Sequence, residues 1–261
     1  MLEIMRTKNI FLFTLLAAVI ISCSKEGINS SEATGGSNGA GGSTARFTIA
    51  GNYLYVVDHT SLKSFDISNP LHPVYKNKTE IGLNIETIFP YRDNLFIGSS
   101  SSMYIYSLAD PAKPVRLAKA DYTVSMSCDP VYVQDNVAYA ALRVQFDGPC
   151  GGRGLGNSVL QVYDITNMHA PVLMNVVNLI SPQGLGAKGN ALYVCERENG
   201  LHVFDISNKY QPSHHSLITG TAFYDVIPYG DILICQVAGG YRLYDIGSNP
   251  LEPVYISSVQ N

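Results

Sequence analysis

Tryptophan is absent from the sequence and charged residues are few, and both shortages limit the functions that the chain can serve. Charged residues make up 15% of the 261 residues, and the formal net charge is −4. This composition does not indicate the basic patch or stripe that binds nucleic acid. The lack of tryptophan removes the commonest platform for stacking on sugar rings, although the 17 tyrosines can take that role. Strong helix formers are sparse, whereas valine, isoleucine, tyrosine and threonine are plentiful, which favours an all-β fold.

Residue types that bind metals or phosphate occur without the spacing that such sites need. His214 and His215 are adjacent in a predicted strand, so their side chains point to opposite faces of the sheet. The stretch "GGRGLG" at residues 151–156 neither opens a helix nor carries the Lys-Ser/Thr of a phosphate-binding loop. The other histidines are scattered along the chain: His59, His72, His169 and His202. We therefore predict no metal site and no cofactor.

The chain begins with a pattern typical of a signal peptide, which we assign to residues 1–22. Arg6 and Lys8 precede an apolar run of twelve residues, Ile10–Ile21, which is too short to span a membrane as a helix. Translation from Met5 would remove the acidic residue that lies ahead of the basic pair, and that alternative stays open. The protein is therefore expected to be exported.

The apolar run ends in "IISC", which resembles a bacterial lipobox and implies cleavage before Cys23 and lipidation of its thiol. The alternative is an ordinary signal peptide followed by a chance cysteine. Residues 23–45 are rich in serine and glycine and cannot bury enough surface to fold, so we expect a flexible tether that spans about 25 Å. A lipid anchor in the outer membrane is predicted, on either its periplasmic or its external side.

A phrase of ten or eleven residues occurs five times after the tether. It reads "FDISNPLHPV" from Phe65, "YSLADPAKPV" from Tyr106, "YDITNMHAPV" from Tyr163, "FDISNKYQPS" from Phe204 and "YDIGSNPLEPV" from Tyr244. Successive phrases are separated by 41, 57, 41 and 40 residues. A period near 40 with four short strands in each unit is typical of propeller blades.

Residues 46–261 are therefore predicted to form a five-bladed β-propeller of four-stranded antiparallel blades. The phrase would form the turn from the third to the fourth strand, because Asp, Ser and Asn side chains bond nearby backbone N–H groups and proline suits an edge strand. This interpretation gives the phrase a structural role despite its acidic residue. Closure of the ring requires every blade to cover the faces of its neighbours.

The second strand of several repeats resembles the strand that names the LVIVD-repeat family of bacterial cell-surface propellers. The segments are "YLYVVD", "NLFIGS", "ALYVCE" and "ILICQV", each followed by a third strand that ends in or near the "FDI" or "YDI" type. The resemblance covers residues 46–261. It implies a propeller fold and a location at the cell surface, but no reaction.

The remaining four cysteines fall into two pairs. Cys128 lies at the start of the inner strand of the third repeat, and Cys150 lies in a long loop of the same repeat. An exported protein meets an oxidising compartment, so we predict a Cys128–Cys150 disulfide worth about 3 kcal/mol. Cys195 and Cys235 occupy equivalent positions in neighbouring repeats that diverge too far for a disulfide, so we expect buried free thiols.

One face of the propeller carries the candidate ligand site. The 57-residue spacing reflects a long loop at residues 143–158, and a long loop on a compact scaffold favours a functional role. Polar residues at the starts of the innermost strands would surround the mouth of the central channel beside this loop. The alternative is that they cap the strands and solvate a water-filled channel. The candidate residues are Glu86, Asp129, Gln183 and Asp225 at the mouth, and Arg143, Asp147 and Arg153 in the loop.

Two functions from different classes are compatible with this arrangement. The first is a non-enzymatic binding or scaffolding module, monomeric and anchored by its lipid, that presents one face to a protein or glycan. The second is a glycan-active enzyme in which two of the carboxylates of Glu86, Asp129 and Asp225 act as acid and base, about 5 to 9.5 Å apart. The sequence lacks a sialidase-like S-x-D-x-G-x-x-W box, and we favour the binding module.

Overall fold

The computed structural model describes residues 42–124, 127–128, 130–144 and 157–260. Residues 1–41 lie outside this part, so the signal peptide, Cys23 and most of the tether stay predictions. The described residues form 21 strands in five antiparallel sheets and contain no helix. They therefore include no helix that could cross a membrane.

Each sheet consists of strands that follow one another along the chain, so every repeat forms its own blade. Blade 1 contains β1 (Phe47–Ala50), β2 (Tyr53–Val57), β3 (Ser61–Asp66) and β4 (Val74–Glu80). Blade 2 contains β5 (Ile85–Tyr91), β6 (Asn94–Ser99), β7 (Ser102–Ser107) and β8 (Val115–Asp121). Blade 3 contains the short additional strand β9 (Ser127–Cys128), then β10 (Val131–Gln134), β11 (Val137–Val144), β12 (Val159–Asp164) and β13 (Val172–Asn178). Blade 4 contains β14 (Leu185–Lys188), β15 (Ala191–Cys195), β16 (Leu201–Asp205) and β17 (Ser213–Ile218). Blade 5 contains β18 (Phe223–Tyr229), β19 (Ile232–Val237), β20 (Gly240–Asp245) and β21 (Val254–Gln260).

Tight hairpins join the first and second strands of each blade. In every blade the residue that opens the turn has a left-handed backbone, a conformation that glycine adopts without steric cost. Glycine fills this position in three blades, whereas arginine and aspartate fill it in the other two. The five residues are Gly51, Arg92, Asp135, Gly189 and Gly230.

The repeated phrase forms the turn from the third to the fourth strand, as predicted. In blade 1 the Asp66 carboxylate accepts a hydrogen bond from the backbone N–H of Ser68 at 2.9 Å, and Asn69 accepts one from Leu71 at 3.1 Å. Equivalent side chains make the first of these bonds in all five blades. The acidic residue of the phrase therefore stabilises a turn, which confirms its structural interpretation.

Four apolar clusters form the core, and each lies between two consecutive blades. We call the side of a blade that points to the next blade its forward face, and the opposite side its backward face. Tyr139, on the forward face of blade 3, packs with Leu192 and Val194 on the backward face of blade 4. The same pairing of faces joins the other consecutive blades.

A tyrosine of the second strand strengthens three of these junctions. The hydroxyl of Tyr55 donates to the carbonyl of Pro111 at 2.8 Å, and that of Tyr193 donates to the carbonyl of Pro250 at 2.6 Å. Tyr139 makes the same bond to the carbonyl of Lys209 at 2.9 Å. Each acceptor lies in the phrase of the following blade. The repeated turn therefore also forms a hydrogen bond with the preceding blade.

Blades 1 and 5 do not share the interface that joins the other blades. Leu192 and Tyr193 of blade 4 have no exposed surface. Leu54, which occupies the position of Leu192 on the backward face of blade 1, is half-buried. Ile234, which occupies the position of Tyr193 on the forward face of blade 5, is also half-buried. The expectation that every blade covers its neighbour is therefore met at four junctions.

Candidate functional site

The channel mouth lies where the inner strands begin. At this face the hairpins between the second and third strands of blades 1 and 4 approach the start of the next inner strand. The N–H of Ile85 donates to the carbonyl of His59 at 3.0 Å, and Arg197 and Phe223 exchange two backbone hydrogen bonds of 3.0 Å. This arrangement brings the predicted residues Glu86, Gln183 and Asp225 to one end of the propeller.

Asp225 is the mouth residue with the most completely defined surroundings. Its carboxylate accepts a hydrogen bond from the hydroxyl of Thr44 at 2.7 Å and another from the backbone N–H of Val226 at 2.9 Å. A Cβ atom on Gly42 or on Gly184 would overlap the carboxylate, and one on Gly184 would also lie 2.7 Å from the Asp225 Cα, so glycine at these positions permits the close approach. Burial raises the pKa of Asp225, and the hydrogen bonds oppose that shift.

Residues 42–45 lie across the mouth. The hydroxyl of Ser43 accepts a hydrogen bond from the N–H of Leu185 in blade 4 at 2.8 Å, and Ser43 is 1% exposed. The N–H of Ile88 in blade 2 donates to the carbonyl of Ala45 at 2.9 Å. The end of the predicted tether therefore contacts blades 2, 4 and 5 before it enters β1, and it covers the Asp225 carboxylate.

Three charged side chains on another part of the mouth influence one another electrostatically. Burial lowers the pKa of the Arg143 guanidinium, the charge of Arg197 lowers it further, and the charge of Glu86 raises it. Arg197 has a left-handed backbone, and its side chain is 41% exposed. The two guanidinium groups are hydrogen-bond donors and the carboxylate is an acceptor.

Sequence reasoning missed two residues of this region, Arg197 and Glu196. Glu196 is 1% exposed, and its carboxylate accepts hydrogen bonds from the N–H groups of Ile180 at 3.0 Å and Ser181 at 3.3 Å. The hairpin "CEREN" that carries both residues is unusually charged for this chain, which was the available signal. Gln183 uses its side-chain amide to donate to the carbonyl of Ser181 at 3.3 Å, so it contributes to the same local network.

Several predicted residues lie outside the described part of the chain, namely Asp129, Asp147, Cys150 and Arg153. The backbone of Cys128 pairs with that of Arg143 through β9 and β11, which places it beside the base of the long loop. The Cys128–Cys150 disulfide stays a prediction.

The free thiols Cys195 and Cys235 are both buried, as predicted. Burial raises the pKa of Cys235 to about 12, so this thiol stays protonated and packs as a small apolar group.

A separate groove of about 580 Å³ lies in blade 5. It is lined by residues of the β19–β20 hairpin and of β21, among them Tyr241, Arg242 and Tyr255. No side chain that the sequence predicted as functional lines this groove.

A family model named the LVIVD repeat matches residues 41–79 and 182–218. The chain contains LVIVD repeats. The two matched segments correspond to blade 1 and blade 4, which confirms the resemblance seen in the second strands. Comparison with curated protein sequences finds no match.

Solved structures share the fold at low sequence identity. The periplasmic gluconolactonase PpgL of Pseudomonas aeruginosa has a TM-score of 0.60 and 13% identity, covering 80% of this chain and 68% of that one. BamB from Moraxella catarrhalis has a TM-score of 0.53 and 12% identity, covering 82% of this chain and 62% of that one. A protein from Lactobacillus plantarum has a TM-score of 0.60 and 8% identity, with coverages of 80% and 68%. Together with the LVIVD repeats, these likenesses identify the β-propeller fold and carry no function.

Proposed function

We propose that this protein is a non-enzymatic binding module of the cell envelope, which uses the channel mouth to bind a polar group on a protein or glycan. The observation that carries the proposal is the cluster of Arg143, Arg197 and Glu86 on a scaffold of packed strands. Such a surface can bind carboxylate or hydroxyl groups through charge-assisted hydrogen bonds.

The surroundings of the buried carboxylates favour binding over glycoside hydrolysis. A hydrolytic pair needs two carboxyl groups that flank the scissile bond. Asp225 accepts hydrogen bonds from Thr44 and Val226 beneath residues 42–45, and Glu196 accepts two backbone N–H groups. Both carboxylates thus have structural partners.

Binding by the mouth can be tested with Arg143→Gln and Arg197→Gln variants of the full chain. Screening of the parent on glycan and protein arrays first identifies a ligand. We expect each variant to bind that ligand at least tenfold more weakly, or about 1.4 kcal/mol. Arg116→Gln is the matched control, because Arg116 is exposed on the outer strand β8 and should not affect binding. Unchanged affinity in both mouth variants would place the binding surface elsewhere.

The long loop provides a second test of the same surface. Replacing residues 144–157 with a four-residue turn, together with Cys128→Ser, should leave a folded propeller, because the other blades join these strands with short hairpins. The melting temperature should fall by several degrees from loss of the disulfide, worth up to about 3 kcal/mol. Ligand binding should fall at least tenfold. Binding as tight as that of the parent would shift the proposal to the opposite face.

The envelope location rests on the predicted lipid at Cys23. The structural relative PpgL is described as periplasmic, which fits export but does not bear on the anchor. We expect Cys23→Ala to release the protein into the soluble fraction or to leave it unprocessed, whereas Ser30→Ala in the tether should remain with the membrane. Normal processing and membrane partitioning of Cys23→Ala would exclude the anchor.

A further inference from the structure

Two histidines of blade 4 lie against each other at the outer side of that blade. His202 pairs with Val194 across the β15–β16 ladder, so it points to the same side of the sheet, which is the backward face. His214 lies on the outer strand β17. The ring centroids of the two histidines are 5.2 Å apart, and the ring planes are inclined by 65°. The sequence showed these histidines only in different strands, and we predicted no metal site from it.

An irregularity in the sheet brings His214 to this position. The register of β16 and β17 shifts between Val203 and Phe204, so that Phe204 pairs with His214 rather than with His215. Bulges of this kind change the direction of a side chain. The ring of Phe204, which is 4% exposed, lies 6.3 Å from that of His202 and 5.6 Å from that of His214. Phe204 therefore packs against both histidines and restricts their orientation.

The Nε2 atom of His202 is buried and has no hydrogen-bond partner in the described part of the chain. A buried polar atom of this kind costs free energy unless a ligand or water satisfies it. Burial lowers the pKa of His202, the charge of Glu196 raises it, and His214 lowers it further. Burial thus favours the neutral ring, which is the form that binds metal ions, while Glu196 adds negative charge nearby.

The separation of the two rings fits a shared metal ion. A ligating imidazole nitrogen lies about 2.0–2.1 Å from a tetrahedral zinc ion, which places the centroids of two ligating rings about 5 Å apart. His214 is exposed, so an ion can reach it from solvent. Within the described ranges, no group of three or more His, Cys, Asp or Glu side chains is arranged to hold a metal ion. Water would therefore complete the coordination of an ion held by two histidines.

We propose that His202 and His214 bind a divalent transition-metal ion that favours imidazole ligands, such as Cu(II) or Zn(II), at the outer side of blade 4. Binding requires the exposed ring of His214 to turn until one of its nitrogens faces the ion. The ion would then link the neighbouring strands β16 and β17. No ligand of this site belongs to the mouth residues of the proposed function, so the two proposals stand independently.

The proposal can be tested by titrating the full chain with Cu(II), because sites of this kind bind it more tightly than other divalent ions of the first transition row. Accessible thiols are first blocked with iodoacetamide. Calorimetry measures the affinity, and electron paramagnetic resonance counts the imidazole nitrogens on the bound ion. We expect one ion held by two imidazoles. His202→Asn and His214→Asn should each weaken binding at least tenfold and leave one imidazole on any ion that still binds.

His215→Asn is the matched control, because His215 is exposed beside His214 on the same strand and does not pair with Phe204. It should bind Cu(II) as the parent does. His214 is exposed, so its variant should fold even if replacement of His202 disturbs the blade, and melting temperatures of the metal-free variants check this. Unchanged affinity in His214→Asn, an equal loss in His215→Asn, or a single imidazole in the parent would indicate an adventitious ion only and overturn the proposal.

Discussion

At the scale of single residues, Asp225 shows how a position that looked like a ligand group serves the scaffold. Its carboxylate holds Thr44 from the end of the tether and is enclosed by Gly42 and Gly184. The sequence placed Asp225 at the channel mouth because it lies near the start of an inner strand. It gave no sign that residues 42–45 would return across the mouth and cover the carboxylate.

Burial of Asp225 should make the stability of the propeller depend on pH. The pKa of the folded carboxyl lies above the ordinary value of 3.8. The folded state therefore binds more protons between the two pKa values, and stability falls as the pH rises through the folded pKa. We expect Asp225→Asn to remove this fall, because asparagine can still accept from Thr44 and does not titrate.

The measurement is the free energy of unfolding in urea from about pH 3.5 to pH 8, compared between the parent and each variant. Asp93→Asn is the control, since Asp93 is exposed in a hairpin. If the difference between the parent and Asp225→Asn does not change with pH, the buried carboxyl does not titrate as described.

At the scale of the element, the second strand of each blade joins its own sheet to the following blade. The tyrosine hydroxyls of Tyr55, Tyr139 and Tyr193 reach carbonyl groups in the next repeated phrase. Removing such a hydroxyl removes the hydrogen bond. It also leaves a buried carbonyl without a partner, which costs further free energy of folding. The repeated phrase thus acts in two ways. Its side chains stabilise the turn, and one of its backbone carbonyls accepts a hydrogen bond from a tyrosine of the preceding blade.

Removing one of these hydroxyls should destabilise the propeller by a small and predictable amount. We expect Tyr193→Phe to lower the free energy of unfolding by about 1 kcal/mol, which corresponds to a fall in melting temperature of about 2–4 °C. Tyr229→Phe should leave the melting temperature unchanged, because Tyr229 is 63% exposed. Differential scanning calorimetry measures both. Equal melting temperatures for Tyr193→Phe and the parent would show that the hydroxyl adds nothing.

Blade 2 offers the reverse experiment. Phe96 occupies the position of these tyrosines, has no exposed surface and lies in one cluster with Met168 of the following phrase. Phe96→Tyr should supply the missing hydrogen bond to the carbonyl of Met168 and stabilise the protein by about 0.5–1 kcal/mol. A loss of stability in the same calorimetric measurement would mean that the cluster has no room for the hydroxyl.

At the scale of the whole molecule, the four junctions divide the blades into interior and terminal ones. Interior blades are covered on both faces, whereas blades 1 and 5 are each covered on one. Because a propeller blade is stabilised by its neighbours, stability should be lower at the two ends of the row. Residues at equivalent positions in different blades allow this difference to be measured.

Leucine truncation at one repeated position should separate the two classes of blade. Leu192→Ala in blade 4 is expected to cost about 2–5 kcal/mol, because the side chain is fully buried between blades. Leu54→Ala in blade 1 should cost less than half as much, because Leu54 is only half-buried. Urea unfolding gives both values. Equal costs would show that blades 1 and 5 cover each other in solution.

The sequence by itself determined the number of blades, the order of their strands and the chemistry of their turns. These features depend on patterns along the chain, namely the period near 40 residues, the alternation of apolar side chains and the Asp, Asn and Gly residues at fixed offsets. Each pattern can be recognised without knowing how the blades pack. The buried thiols Cys195 and Cys235 followed from their positions in such a strand.

The tertiary structure decided what depends on the angle between blades and on the path of the tether. Repeats that look equivalent along the chain differ in exposure because the first and last of them lack one neighbour, and no local pattern encodes the curvature that leaves Leu54 and Ile234 uncovered. Residues 42–45 are small, like most of the tether, yet they form hydrogen bonds with three blades. The environments of Asp225, Arg143 and Arg197 arise from contacts between residues far apart in sequence, since burial and charge act through space.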